Sequence, residues 1–296
     1  MIVKEAQKMN LQGNVISIPS TRVSIRQRLR SVPWWLVAIF AIAIWVVIEI
    51  TTNARFAKSF DFMKAGFIIT LSTTFIAFAI ALVLGLITGL GRISENTFAK
   101  NIATFYVEVV RGIPMLVLIF FIALVLIPAA VDGFNGFGAW LSSLGLTGLS
   151  TVFSGAKNNA VPMNTRAIIA FSLTYGAFLA EIFRAGIQSI DNGQMEAARS
   201  QGMNRFQAMW FIILPQAIRN IMPALGNDFI SMLKDTSLVS ILAVRDITQL
   251  ARLYAGNTFQ YQTTYITLAV MYLIMTILLS FLVKFLEKRY QYNDRR

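Results

Sequence analysis

In a strongly apolar chain, the few ionisable side chains are where chemistry could occur. One group is Lys234-Asp235-Thr236-Ser237, which sets an ammonium, a carboxylate and two hydroxyls in consecutive positions. Upstream, Gln216, Asn220, Asn227 and Ser231 recur at helical spacing, with Asp228 beside the row. A second group repeats one small pattern, Glu108-x-x-Arg111-Gly112 and Glu181-x-x-Arg184-Ala185. Residues three apart share a helix face, so each pattern can close an intramembrane ion pair. The 296 residues contain no His and no Cys. That excludes a thiol nucleophile, a disulfide framework, a Cys/His zinc site and an imidazole base. Catalysis would have to rest on carboxylates, Lys, Ser or Tyr. No catalytic constellation and no metal-ligand set emerges, so a hydrolytic or redox enzyme fits poorly.

These residues must be held by elements that cross a membrane. The chain is 56% hydrophobic and 14% charged, with mean hydropathy +0.63; soluble domains average about 45–50% apolar and about 25% charged residues. A bilayer core needs about 20 apolar residues in a helix. Six such stretches are predicted, at 33–50, 66–90, about 102–129, 167–187, about 210–233 and 264–285. Trp34 and Trp35 read as interfacial anchors of the first. The expected fold is therefore an all-α polytopic membrane protein of about six transmembrane helices.

The formal net charge of +12 lies mostly in the tails: the first thirty residues carry net +5 and the segment from Lys284 carries net +3. Basic ends beside apolar spans mark the cytoplasmic side. A DNA-binding protein would instead present its cations on a folded polar surface, and no nucleic-acid partner is expected. Six spans put both termini in the cytoplasm, with loops 91–100 and 188–209 beside them. Segments 52–65, 130–163 and about 236–262 then fall outside. Segment 52–65 goes against this rule, with net +2 from Arg55, Lys58, Lys64 and Asp61. The predicted organisation is a basic tail at 1–32, an N-terminal span and external loop at 33–65, a transmembrane domain at 66–290 and a short tail at 291–296. The Gly-, Ser- and Asn-rich insertion at 130–163 reads as a short interfacial helix and loop.

The loop between the fourth and fifth spans carries the most specific motif. Glu196-Ala197-Ala198 is followed after three residues by Gly202, and later by Ile212 and Leu214-Pro215. Gly202 permits a sharp turn without a Cβ penalty, and Pro215 suits the first turn of a new helix. The segment therefore reads as a compact helix–turn–helix. It resembles the EAA signature, EAA-x3-G-x9-I-x-LP, of ABC-importer membrane subunits, at every position. The resemblance runs from about Gly66 to Tyr290 and is greatest to permeases of polar amino-acid uptake systems of the histidine/glutamine/arginine type. It departs from them in the extra N-terminal span, in the insertion, and at Leu118, where relatives usually show Gln.

The resemblance implies a type I ABC importer permease in a bacterial plasma (inner) membrane, which forms the translocation pathway for polar L-amino acids. The EAA loop would then couple to a separate ATP-binding subunit, present in two copies, through Glu196, Ala197, Ala198, Gly202, Leu214 and Pro215. A second permease, homologous or identical, and an external amino-acid-binding protein complete the expected partners, with lipid around them. The chain has no G-x-x-x-x-G-K-[ST] phosphate loop. ATP and Mg are therefore expected on the partner, and this subunit is not expected to be an enzyme. The substrate pathway is expected along Asn227, Asp228, Ser231, Lys234, Asp235, Thr236 and Ser237, with Thr70 and Thr74 nearby. Lys234 and Asp235 match the two charges of a zwitterion; a self-neutralising pair at a helix end is the other reading. The pairs Glu108/Arg111 and Glu181/Arg184 read either as local bridges or as a gate. The alternative function is an ion-coupled secondary transporter or channel acting alone.

Overall fold

The computed structural model describes residues 34–155 and 157–292, and every regular element among them is helical. The basic tail at 1–32, with its orienting charges, lies outside the described residues. The helices are α1 (Trp34–Thr52), α2 (Ala54–Met63), α3 (Phe67–Arg92), α4 (Thr97–Gly112), α5 (Met115–Phe121), α6 (Ile127–Ser143), α7 (Thr147–Phe153), α8 (Met163–Gln188), α9 (Asn192–Ser200), α10 (Arg205–Ala208), α11 (Leu214–Asp235), α12 (Ile247–Thr258) and α13 (Tyr261–Tyr292). Five helical stretches among the described residues are long and apolar enough to cross a membrane: Ala54–Arg92, Met115–Ser143, Met163–Gln188, Arg205–Leu242 and Tyr261–Arg289. The apolar helix Val37–Thr52 is shorter.

The bundle is built around the contact of α3 with α8. Ala77, Ala81, Gly85 and Gly89 recur every four residues along one face of α3, and each is buried. A Cβ added at Gly85 would lie 2.7 Å from Leu179 Cβ, and one at Gly89 would lie 2.9 Å from the Ala180 carbonyl oxygen. Small residues let two membrane helices approach backbone to backbone, where dispersion and packing replace the missing hydrophobic drive. Phe171, Tyr175, Leu179 and Phe183 of α8 complete this core together with Ile119, Ile122 and Met232. A second apolar cluster joins Met63, Leu233, Ile247, Met271 and Met275.

Several segments differ from the sequence expectation. Residues 52–65 are largely helical rather than a loop: Asn53 caps α2 by accepting from the Arg55 N–H at 3.0 Å. The stretch predicted as one span from about 102 is broken at Ile113-Pro114, because a proline disfavours helical backbone in the residue before it. α4 is thus a separate helix, and the span proper runs from Met115 into the insertion as far as Ser143. The insertion is mostly helical (α6 and α7), with Phe153 packed edge-on against Phe137 at 5.3 Å. The sixth stretch extends to Tyr292.

Between α5 and α6 the helix widens into one π-turn, Ile122–Leu126. Pro128 explains why it persists. The Ile127 N–H bonds to the Ile122 carbonyl, and Pro128 has no N–H to offer the Ala123 carbonyl. That orphan carbonyl accepts from Arg166 Nη1 at 2.9 Å. Arg166 also donates from Nε to the Val161 carbonyl at 3.0 Å and from Nη2 to that of Asn158. A buried guanidinium is thus held by three backbone carbonyls, pinning the start of α8 to the π-turn and to the loop before it.

Candidate functional site

The segment after α8 folds as a helix–turn–helix, and its sequence explains each joint. Asp191 caps α9 by accepting from the Gly193 N–H at 2.7 Å. The helix presents Glu196 and Ala197 to the outside and buries Ala198. It ends in a Schellman turn: Met203 N–H donates to the Ala198 carbonyl at 3.2 Å and Gly202 N–H to that of Arg199 at 3.0 Å. Gly202 adopts φ +88°, where a Cβ would be strained. Asn204 and Gln207 then form a reciprocal capping box at 2.8 and 2.9 Å. A second π-turn, Met209–Ile213, leads into α11, whose first turn contains Pro215. Leu214 is buried and Pro215 exposed. The outer surface carries Phe206, 73% exposed and stacked on Trp210 at 6.1 Å. Beside it is a hollow of about 280 Å³ lined by Gln201, Gly202, Met203, Gln207 and Phe211.

Above the loop, α11 holds the polar row. Asn220, Asn227 and Lys234, seven residues apart, are exposed on one face, and Asp228, Ser231, Asp235 and Ser237 are half-buried beside them. Pro223 lies inside the helix without ending it. Asp235 Oδ2 accepts from the Tyr175 hydroxyl at 2.6 Å, which ties the row to buried α8. The threonines are placed differently. Thr70, Thr74 and Thr236 are fully buried. The Thr70 hydroxyl accepts from the Ile247 N–H at 3.2 Å; Thr74 donates to the Thr70 carbonyl and Thr236 to that of Leu233. The Thr74 and Thr236 hydroxyls bond backbone carbonyls and that of Thr70 meets the Ile247 N–H and Tyr272; none of the three bonds Lys234 or Asp235.

The two charged patterns also part company. Glu181 and Arg184 pair as the spacing predicts, with Arg184 Nε 3.0 Å from Glu181 Oε2 and Nη2 on Oε1. Glu108 and Arg111 do not pair. Glu108 accepts instead from Arg92 Nη2 at 3.4 Å, and the Arg111 guanidinium lies 5.8 Å from the centre of the Phe178 ring. The physical reason is a competing cation: Arg92, at the end of α3, also bonds Glu181 through Nη1 and so bridges two carboxylates on different helices. Sequence reading named neither Arg92 nor Arg166. The usable signal for Arg92 was the row of small residues ending at Gly89, which brings the last turn of α3 against α8.

Outside the spans, Asp246 caps α12 from a fully buried position, accepting from the N–H groups of Gln249 and Thr248 at 2.8 and 3.1 Å. Burial pushes its carboxyl up from the usual range, against the opposing effect of these bonds.

Residues 81–292 match the family described as the binding-protein-dependent transport system inner membrane component. The chain belongs to this family. This permease is 36% identical over 233 residues, 79% of its own length and 95% of the relative's, to the probable glutamine ABC transporter permease protein GlnM of Bacillus subtilis (strain 168). It is likewise 36% identical over 206 residues to the probable amino-acid permease protein YxeN of the same organism, covering 70% of the permease and 81% of that relative. Among solved structures, an amino acid ABC transporter with histidines superimposes with TM-score 0.62 at 37% identity, covering 79% of the permease and 96% of that chain. The all-helical fold and the assignment to ABC transporter permeases of the amino-acid type, expected from the EAA motif, are thereby shown.

Proposed function

We propose that this permease forms the pathway of an ATP-driven, binding-protein-dependent importer of polar L-amino acids, and that residues 188–209 dock on a separate ATPase. The observation that carries the proposal is the loop itself. It is a self-capped helix–turn–helix with buried Ala198 and Leu214 as its footing, and it presents Glu196, an exposed aromatic pair and a hollow to a partner. Such exposed apolar surface with a polar rim is what a protein interface requires. The amino-acid relatives support the solute class. Lys234 and Asp235, on the open side of α11, are the groups offered to the carboxylate and ammonium of the solute; Asn227, Asp228, Ser231 and Ser237 extend the row. Two ATPase copies, a second permease and an external binding protein complete the assembly, with ATP and Mg on the ATPase. Both termini lie in the cytoplasm of a bacterial inner membrane. Co-expression with the candidate ATPase tests the docking. Wild type is expected to co-purify with a chain bearing a phosphate loop, and deletion of Gly202 to Phe206 is expected to abolish that capture. An intact complex with the deletion would refute the assigned role of the loop.

A further inference from the structure

We infer that Arg92 is a positioning residue for transport: it interlocks the docking loop with α8, so that movement of the loop is delivered to the polar row of α11. The inference rests on the proposed function above. Arg92 is brought to its place by packing, since Gly89, one turn earlier, sits directly on Ala180 and Phe183 of α8. Its side chain is only 13% exposed and engages two carboxylates, Glu181 on α8 and Glu108 on α4. Glu181 is in turn gripped by Arg184, whose Nη1 reaches Gln188 at 2.5 Å, the last residue of α8 and the first of the loop. Three residues beyond Arg92, Glu95 of the α3–α4 turn forms an ion pair with Arg205, inside the loop. The turn at 93–96 is therefore fastened to the loop on one side and, through Arg92, to α8 on the other. Six residues before Glu181, α8 carries Tyr175, whose hydroxyl holds Asp235.

Half-buried charge-assisted bonds resist sliding far more than exposed pairs. The links of Glu181 to Arg92 and Arg184 are the half-buried ion pairs of the series, with Arg92 13% exposed and Glu181 26%; Glu95 and Arg205 are both more than half exposed. Arg92 is thus the step at which a push on the loop becomes a shift of a packed helix, the kind of contiguous network that carries coupling between sites.

The test uses the whole complex, with its ATPase and binding protein, in proteoliposomes supplied with radiolabelled L-glutamine, L-histidine and L-arginine. The readout is solute moved per ATP hydrolysed. R92Q and E181Q are each expected to continue hydrolysing ATP while that ratio falls about tenfold, within the usual span of coupling energies. The double variant R92Q/E181Q is expected to be no worse than either single one, because both remove the same link. A wild-type ratio in either single variant, or losses that multiply in the double, would overturn the inference. So would failure of both variants to assemble, which would make the pair a structural staple. Absence of ATP-driven uptake in wild type would instead overturn the proposed function.

Discussion

Helices α8 and α11 are both predicted spans of similar length, yet they are built for opposite purposes. Within their most apolar windows α8 is 67% buried, whereas the span containing α11 is 33% buried. α8 is surrounded on every side, by the glycine face of α3, by the π-turn through Arg166, and by α11 itself. α11 packs one side, through Ala217, Ile221, Leu225 and Met232, and leaves Asn220, Asn227 and Lys234 open on the other. Polar groups on an open face inside a membrane need water, solute or a second subunit. The comparison separates a mast from a working surface, and substitutions should affect the two in different quantities.

The mast should fail first. Replacing Gly89 by Leu drives a side chain into the Ala180 carbonyl and Phe183, an overpacking that costs about 3 kcal/mol or more. Loss of a monodisperse complex on size-exclusion chromatography in detergent is the expected result. Arg166→Met removes three carbonyl partners and is expected to cost about 2–3 kcal/mol, read as a lowered thermal unfolding midpoint. Adding Pro128→Ala should return part of that loss, since the new N–H can serve the Ala123 carbonyl. If Pro128→Ala lowers the midpoint of the Arg166→Met variant further, the assigned origin of the orphan carbonyl is wrong.

On the working surface the signs reverse. Asp235→Asn and Lys234→Met are each expected to lower uptake about tenfold, the scale of one charge-assisted hydrogen bond. The unfolding midpoint of Lys234→Met should hardly move, because exposed substitutions stay within about 0.5 kcal/mol; that of Asp235→Asn should fall slightly, because the Tyr175 hydroxyl then donates to a neutral amide oxygen instead of a carboxylate. Unchanged uptake in both would remove this pair from the pathway. Asn227→Ala, with no charge to lose, should show the smallest transport defect and the same stability.

The legible part of this molecule was its periodicity and its punctuation. Long apolar stretches disclosed the spans, and the EAA spacing disclosed the loop, where Gly202 needs a left-handed backbone and Leu214-Pro215 opens the next helix. Asp235 was legible as a polar residue in an apolar environment, but its partner Tyr175 was not, since a tyrosine in an apolar run carries no sign of which helix it will meet. The insertion was read as a short helix and loop, and it holds more helix than that. Gly133, Gly136 and Gly138 lower helix propensity in water, but near a bilayer unpaired backbone groups are so costly that the helix forms regardless. Thr70, Thr74 and Thr236 were legible as hydroxyls beside the expected pathway, but the backbone groups that they bond were not. Arg92 and Arg166 depend on close contacts between segments far apart in the chain, which spacing along one helix cannot reveal.

The most direct test of the account is uptake by reconstituted permease with and without its ATPase. Proteoliposomes holding the complete complex are expected to accumulate a labelled polar amino acid only when ATP is supplied on the side of the loop at 188–209, and to do so unchanged in the presence of a protonophore. Accumulation by the permease alone, driven by an ion gradient, would contradict it.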